Sequence, residues 1–361
     1  MTILFFARRF YPLIGGVEKH VLEISKILVS KGHKVIVISE TPPGSHSTAY
    51  QSDSSSARPA GKLKNLESYN INPGKDDWFK KFRIWRQLWK HRDLIRSANV
   101  VHCHDVFFWY LPFRFLFPSK KVYTTFHGYE GNNIPNKNAI FMHKVSEKLS
   151  NGNICIGEFL KKWYGTKPTF ITYGAVNINN QEAEIRKQKS KKNMIVFVGR
   201  LEEETGIMEY LKAFEIIVKK YPSLKLEVLG DGSLMKEAET FVSKNKLNVK
   251  FHGFVENTAE FVERATFVFV SRYLGVLESL MSKKYVLAVY NNEIKKDYLE
   301  MSSFANFISI SKDSDGIKDE LDKYLSNEKL KNFKIKKGYE WVKDKTWENM
   351  VNLYLKLWNL S

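Results

Sequence analysis

Hydrophobic positions along the chain follow two alternating patterns. Short runs of β-branched or aromatic residues predict strands at Ile3–Phe6, Val35–Ser39, Val100–His102, Val122–Phe126, Ile154–Ile156 and Phe170–Tyr173. The second half repeats the pattern at Ile195–Val198, Leu226–Leu229, Phe267–Val270 and Val286–Val289. Most of these runs are apolar throughout, as parallel strands covered on both faces require. Segments of helical spacing lie between them. In Val17–Ser30, for example, Val21, Ile24, Leu28 and Val29 recur near helical spacing, and KGHK at Lys31–Lys34 ends the helix. Strand and helix alternating, twice over, predict an α/β protein of two doubly wound domains. Ligands of such sheets bind outside the carboxyl ends of the strands, here expected in a cleft between the domains.

Polar stretches set the boundaries. Residues 177–193 carry no apolar pattern and predict a linker between an N-terminal domain, 1–176, and a C-terminal domain, 194–340. Residues 341–361 are expected to form a C-terminal helix packing back towards the N-terminal domain. The low-complexity stretch Pro42–Lys62 reads as a mobile surface loop. A length of 361 residues suits two domains of roughly 150 each.

Composition adds a bias in charge. Lys plus Arg is 57 against 39 for Asp plus Glu, a net charge of +18 that favours polyanionic partners. The only cysteines, Cys103 and Cys155, lie in apolar runs and make neither a disulfide framework nor a zinc site. A reducing compartment is expected. At the N-terminus the apolar run Ile3–Ala7 precedes Arg8 and Arg9, the reverse of a signal peptide, and is too short to span a bilayer. The expected location is cytoplasmic.

Four local motifs offer chemistry, each with a plainer alternative. Gly15 and Gly16 open the first helix, where backbone amides could meet an anion, or where a strand simply turns into a helix. Arg200 follows a buried strand ending at Gly199 and could fork onto a diphosphate, or pair with Glu202 or Glu203 at the surface. Gly230, Asp231 and Gly232 form a tight turn that could pass under a nucleotide, or be only a turn. Glu278 lies on a helix whose first amides are expected near Gly275–Leu277. It could accept hydrogen bonds from a ribose, or be a solvated helix glutamate.

In order and spacing these pieces resemble glycosyltransferase family 4, enzymes of two Rossmann-like domains facing each other across a cleft, the GT-B architecture. The resemblance rests on GGVEKHVLEISKILVSKGHKV, the FHG at Phe126–Gly128, GRLEEETGI, LEVLGDGSL, HGFV at His252–Val255 and LGVLESLMSKKYVLAV, and covers essentially the whole chain. It implies transfer of a sugar from a nucleotide-linked donor, UDP- or GDP-linked, with retention of anomeric configuration and no cofactor. Gly15 and Gly16 would approach the donor, and Arg200 would stabilise the β-phosphate of the leaving nucleotide. Glu278 would bind the ribose, and the turns carrying Gly232 and Val255 would border the base. The segment Gly275, Val276 and Leu277 would face the donor, and His127 would touch the transferred sugar or the acceptor hydroxyl. Two departures stand out. Thr205, still expected at the donor, occupies the place of the family's second diphosphate cation, a lysine, and the loop between Tyr273 and Glu278 is shorter than the common form. No H-E-x-x-H motif or cysteine cluster is present, and no metal is expected.

One segment lies outside that logic. In Lys75–Arg96, Trp78, Phe82, Trp85 and Trp89 recur at i, i+4, i+7 and i+11 among eight cations and three aspartates. Such a stripe reads as a helix in the interface of an anionic membrane, or as an acceptor surface. Its alternative is packing on the N-terminal sheet. The run Val106–Phe117, with seven aromatics in twelve residues, could extend that surface or floor an acceptor groove. Together these features predict a transferase peripheral to the cytosolic membrane face, acting on a lipid-linked saccharide or lipid. Two rivals are a non-catalytic scaffold of the same fold and a nucleic-acid binder. No recognised nucleic-acid motif supports the latter.

Overall fold

The computed structural model describes residues 1–13, 15–41, 65–129, 134–177 and 193–360. The expected surface loop 42–62 lies outside the described residues, as does the expected linker apart from Asn177 and Asn193. The chain forms two compact units. One comprises Met1–Tyr129, Pro135–Thr172 and Trp347–Ser361, and the other is chiefly Tyr173–Thr346. The division falls at 172/173 and 346/347, so the stretch before the linker and residues 341–346 side with the second unit.

In the first unit the strands are β1 (Thr2–Ala7), β2 (Lys34–Ser39), β3 (Leu66–Asn70), β4 (Val100–His104), β5 (Val122–Phe126), β6 (Asn153–Ile156) and β7 (Phe170–Thr172). They pair in parallel in the order β3-β2-β1-β4-β5-β6-β7. The second unit has β8 (Met194–Val198), β9 (Lys225–Leu229), β10 (Val249–Phe251), β11 (Phe267–Phe269), β12 (Tyr285–Val289) and β13 (Ser309–Ser311), parallel in the order β10-β9-β8-β11-β12-β13. Both orders are doubly wound, so the expected fold class is present in each half. Strands β3, β10 and β13 were not predicted. All three are sheet edges with mixed polar positions, where only one neighbour demands an apolar face.

Apolar contact explains the helices. Val21, Ile24 and Leu28 of the helix Gly16–Ser30 are fully buried. The last helix runs Trp347–Leu357, not from 341, and packs against Gly16–Ser30 within the first unit. Its Trp347, Tyr354 and Trp358 beyond it are buried.

The basic aromatic segment differs from its expected form. It is two helices, Lys80–Lys90 and Arg92–Ser97, broken at His91, and Trp78 precedes the first. The face that enters the core carries Ile84, Leu88 and Ile95. Trp78 is 84% exposed, Phe82 56% and Trp89 51%. Trp85 departs from the stripe: it packs on the core, and its Nε1 donates to the Phe108 carbonyl at 2.9 Å. The run Val106–Phe117 is mostly core. Phe107, Trp109, Tyr110 and Phe113 are buried, while Phe115 and Leu116 face outwards.

Truncation separates the two faces of the Lys80–Lys90 helix. Ile84→Ala should destabilise by about 2–4 kcal/mol through lost burial and a cavity, whereas Trp78→Ser should change stability by less than about 0.5 kcal/mol. Urea titration of both variants checks this. Equal effects would contradict the assigned faces.

Candidate active site

In each unit the chemistry gathers where the parallel strands end. In the second, β8 leads through Gly199 to Arg200, and a single 3-10 turn, Glu203–Thr205, precedes the helix Ile207–Lys220. Arg200 forms an ion pair with Glu204, one residue beyond the two expected partners. Its Nη2 meets Glu204 Oε1 at 2.5 Å, and the Arg200 side chain is two-thirds exposed. Arg272, the residue before the helix Tyr273–Met281, brings its Nη2 to 3.3 Å from the same oxygen. One carboxylate oxygen thus holds two guanidinium groups. Glu202 instead accepts from the Ser233 amide at 3.0 Å and the Ser233 hydroxyl at 2.6 Å, which hold its carboxyl below the usual range.

The glycine turn after β9 has a packing reason. Gly230 has φ +146°, and a Cβ there would lie 1.8 Å from the Gly199 carbonyl oxygen. A Cβ on Gly232 would lie 2.4 Å from that of Leu201. The turn therefore presses backbone on backbone against Gly199–Leu201, fastened by Leu201 N–H to the Asp231 carbonyl at 2.9 Å. Gly275 is similar, since a Cβ would meet Val270 Cγ2 at 2.6 Å.

Other expected donor residues take supporting places. Thr205 is buried, and its hydroxyl lies 2.6 Å from the Arg200 carbonyl and 2.7 Å from that of Glu202, closing the turn that carries Arg200. It therefore does not present its hydroxyl outwards. The helix bearing Glu278 begins at Tyr273, earlier than expected, and the Val276 amide already donates to the Arg272 carbonyl at 3.0 Å. The side chains of Val276 and Leu277 are core, while Glu278 and Val255 are half-buried.

In the first unit, Gly15 is the extended residue before the helix and Gly16 its first residue. An added Cβ on Gly16 meets nothing within 4 Å. His127, just after β5, donates its backbone N–H to Asp105 Oδ1 at 2.9 Å, and its Nε2 lies 2.8 Å from His104 Nδ1. Around it lies a buried network that sequence reasoning missed. Trp358 Nε1 can only donate, so His102 Nδ1, 3.1 Å away, accepts. The proton of neutral His102 then sits on Nε2 and goes to Thr125 Oγ1 at 2.7 Å. Thr125 Oγ1 also hydrogen-bonds Tyr354 Oη at 2.8 Å, and Tyr354 Oη hydrogen-bonds His20 Nε2 at 2.9 Å. The indole thereby fixes the tautomer of His102.

Burial pushes His20 down to about 3. Burial, and next the neighbouring imidazoles, hold His102, His104 and His127 well below the usual range. Both cysteine thiols are free, buried and raised by burial, Cys155 to about 12. Among the described residues His20, His104 and His127 could each offer a metal a ligand atom, all within 4.8 Å. As arranged, His104 Nδ1 and His127 Nε2 bond each other, and His20 Nε2 is taken by Tyr354.

Rings neutral when folded but protonated when unfolded give the folded state fewer protons. Stability should therefore be complete above about pH 6.5 and fall as pH drops from there towards 3. His20→Gln should reduce that slope by up to one proton, about 1.4 kcal/mol per pH unit. Denaturant midpoints measured from pH 7 to 4.5 test it, and an unchanged slope would contradict a neutral His20.

Residues 14–167 match the family described as Glycosyltransferase Family 4, and residues 179–341 match Glycosyl transferases group 1. An uncharacterised glycosyltransferase of Methanocaldococcus jannaschii is 32% identical over 104 residues, 27% of this chain and 26% of that protein. A Campylobacter jejuni enzyme is 25% identical over 146 residues, 39% of this chain and 40% of its own length. Its name is GalNAc-alpha-(1->4)-GalNAc-alpha-(1->3)-diNAcBac-PP-undecaprenol alpha-1,4-N-acetyl-D-galactosaminyltransferase. The chain thus spans about a quarter and two fifths of these two relatives. Anabaena HepE, solved with UDP and glucose, superposes with a TM-score of 0.72 at 12% identity, covering 99% of this chain and 98% of that one. At that identity the likeness shows the fold, which is GT-B.

Proposed function

The chain belongs to the glycosyltransferases through both of its halves, a family 4 domain followed by a group 1 domain, and we propose that it transfers a sugar from a nucleotide-linked donor to a lipid-linked saccharide or lipid, with retention. The observation that carries this reading is Arg200, an exposed guanidinium held at the carboxyl edge of the group 1 sheet. A departing nucleoside diphosphate gathers negative charge, and a fixed guanidinium stabilises that charge more in the transition state than in the ground state. In the retaining route the acceptor hydroxyl attacks on the face the diphosphate leaves, and the leaving phosphate takes its proton. Glu278 would accept from the ribose hydroxyls, and backbone near Gly232 and Val255 would border the base. His127, neutral and held by His104 and Asp105, would hydrogen-bond the transferred sugar or the acceptor hydroxyl. Gly16 leaves room for the donor.

Arg200→Ala should lower turnover about 10²–10³-fold with an unchanged melting temperature, since the side chain is exposed. Nucleoside diphosphate release, assayed across a panel of UDP- and GDP-sugars, measures this. Activity within a few-fold of wild type would remove Arg200 from the diphosphate.

The exposed ring surface supports action at a membrane. Trp78, Phe79, Phe82 and Trp89 stand among Lys and Arg side chains, the mixture that settles at the headgroup level of an anionic bilayer. No helix among the described residues is long and apolar enough to cross a membrane. The name of the Campylobacter relative specifies an undecaprenol-linked acceptor, which suits a peripheral enzyme on the cytosolic face. Trp85 is excluded from the test because it packs on the core. Replacing Trp78 and Trp89 with Ser should release the protein from phosphatidylglycerol vesicles at low salt and leave its melting temperature unchanged. Wild-type protein that ignores such vesicles would overturn the membrane reading.

A further inference from the structure

The convergence of Arg200 and Arg272 on one oxygen of Glu204 is unusual for two exposed surface arginines. Each would find water or separate carboxylates at no entropic disadvantage. Instead the fold fixes the backbone around Arg272 on both sides. Lys295, fully buried, donates its Nζ to the carbonyl of Ser271, the residue before Arg272. The Ser271 hydroxyl donates to the Thr205 carbonyl at 3.3 Å, joining this loop to the turn that carries Arg200. On the other side, the Tyr273 amide donates to Tyr298 Oη at 2.8 Å, the Tyr273 hydroxyl donates to the Tyr298 carbonyl, and the two rings stack with centroids 3.8 Å apart. The Arg272 side chain that this backbone carries is 37% exposed and reaches Glu204.

Lys295 itself cannot reach a ligand, because it is enclosed over the Tyr298 ring at 4.7 Å and bonded beneath the loop. Thr205 brings no charge to the site. Against a diphosphate leaving group, a single guanidinium leaves most of the developing charge uncompensated. We propose that Arg272 is the second cation of the donor site. In this assignment, which rests on the proposed nucleotide-sugar reading, Glu204 holds the two guanidinium groups together on one carboxylate oxygen. The donor diphosphate then takes the place of the Glu204 carboxylate between them. The exchange replaces one anion with another of higher charge and forked geometry, which two arginines match better than one.

Isothermal titration with UDP and with GDP tests the assignment on wild type and on Arg200→Gln, Arg272→Gln, Arg272→Lys and Glu204→Gln. For the nucleotide that wild type binds, Arg272→Gln should weaken affinity about ten- to hundred-fold, with Arg272→Lys in between. Glu204→Gln, which removes the competing anion, should tighten binding. If Arg200→Gln weakens binding while Arg272→Gln stays within two-fold, the donor reading stands and the role of Arg272 falls. Should wild type bind neither nucleotide, or should both arginine variants bind as wild type does, the donor reading fails and takes this assignment with it. If Arg272→Gln does not fold, Glu204→Gln decides: weaker binding would make Glu204 a structural clamp and overturn the proposal.

Discussion

Backbone pressed on backbone governs the second unit. The Gly230–Gly232 turn sits so close to Gly199–Leu201 that no side chain fits at either glycine. That contact sets where the chain leaves β8, and therefore where Arg200 points. The rest is built around it: Thr205 closes the following turn, Glu202 is tied to Ser233, and Ser271 bonds back to Thr205. Glu204 then meets both arginines because three strand-end loops are fixed relative to one another. A parallel sheet makes this possible, since the exits of β8, β9 and β11 all open at one edge.

The first unit uses a different constraint. Strands β4 and β5 and the helix Gly16–Ser30 bring four imidazoles together, and burial keeps them uncharged. Charged rings at these distances would repel one another in a low dielectric. The last helix, returned from the far end of the sequence, closes the network through Tyr354 and Trp358. Beside this network His127 is held by His104 Nδ1 and, through its backbone N–H, by Asp105. Away from this, the helix Lys80–Lys90 divides its residues sharply: Ile84 and Leu88 anchor it, which leaves Phe82 and Trp89 available to another surface.

Much of this was legible in the sequence, for identifiable reasons. Central strands such as Leu4–Phe6 or Val286–Val289 are buried on both faces, so they read as apolar runs. The edges β3, β10 and β13 carry polar positions and did not. Arg200 was singled out because it follows a strong strand signal, and His127 through the family resemblance. Arg272 was passed over because only folding shows that its loop lies beside Glu204. His102 and His104 read as part of a buried strand, although their spacing of two, placing both on one face, was a usable signal. The spacing of the aromatic stripe misled in one respect: helical periodicity groups residues by face but does not say which face turns inwards, and here Ile84 and Leu88 won that place. Trp85 joined the core because its indole N–H found the Phe108 carbonyl.

A crystal structure with the bound nucleoside diphosphate tests the central claim most directly. The account predicts density for the diphosphate between the Arg200 and Arg272 guanidinium groups, with the Glu204 carboxylate swung away from both. A nucleotide bound elsewhere, or one bound while Glu204 still holds the two arginines, would contradict it.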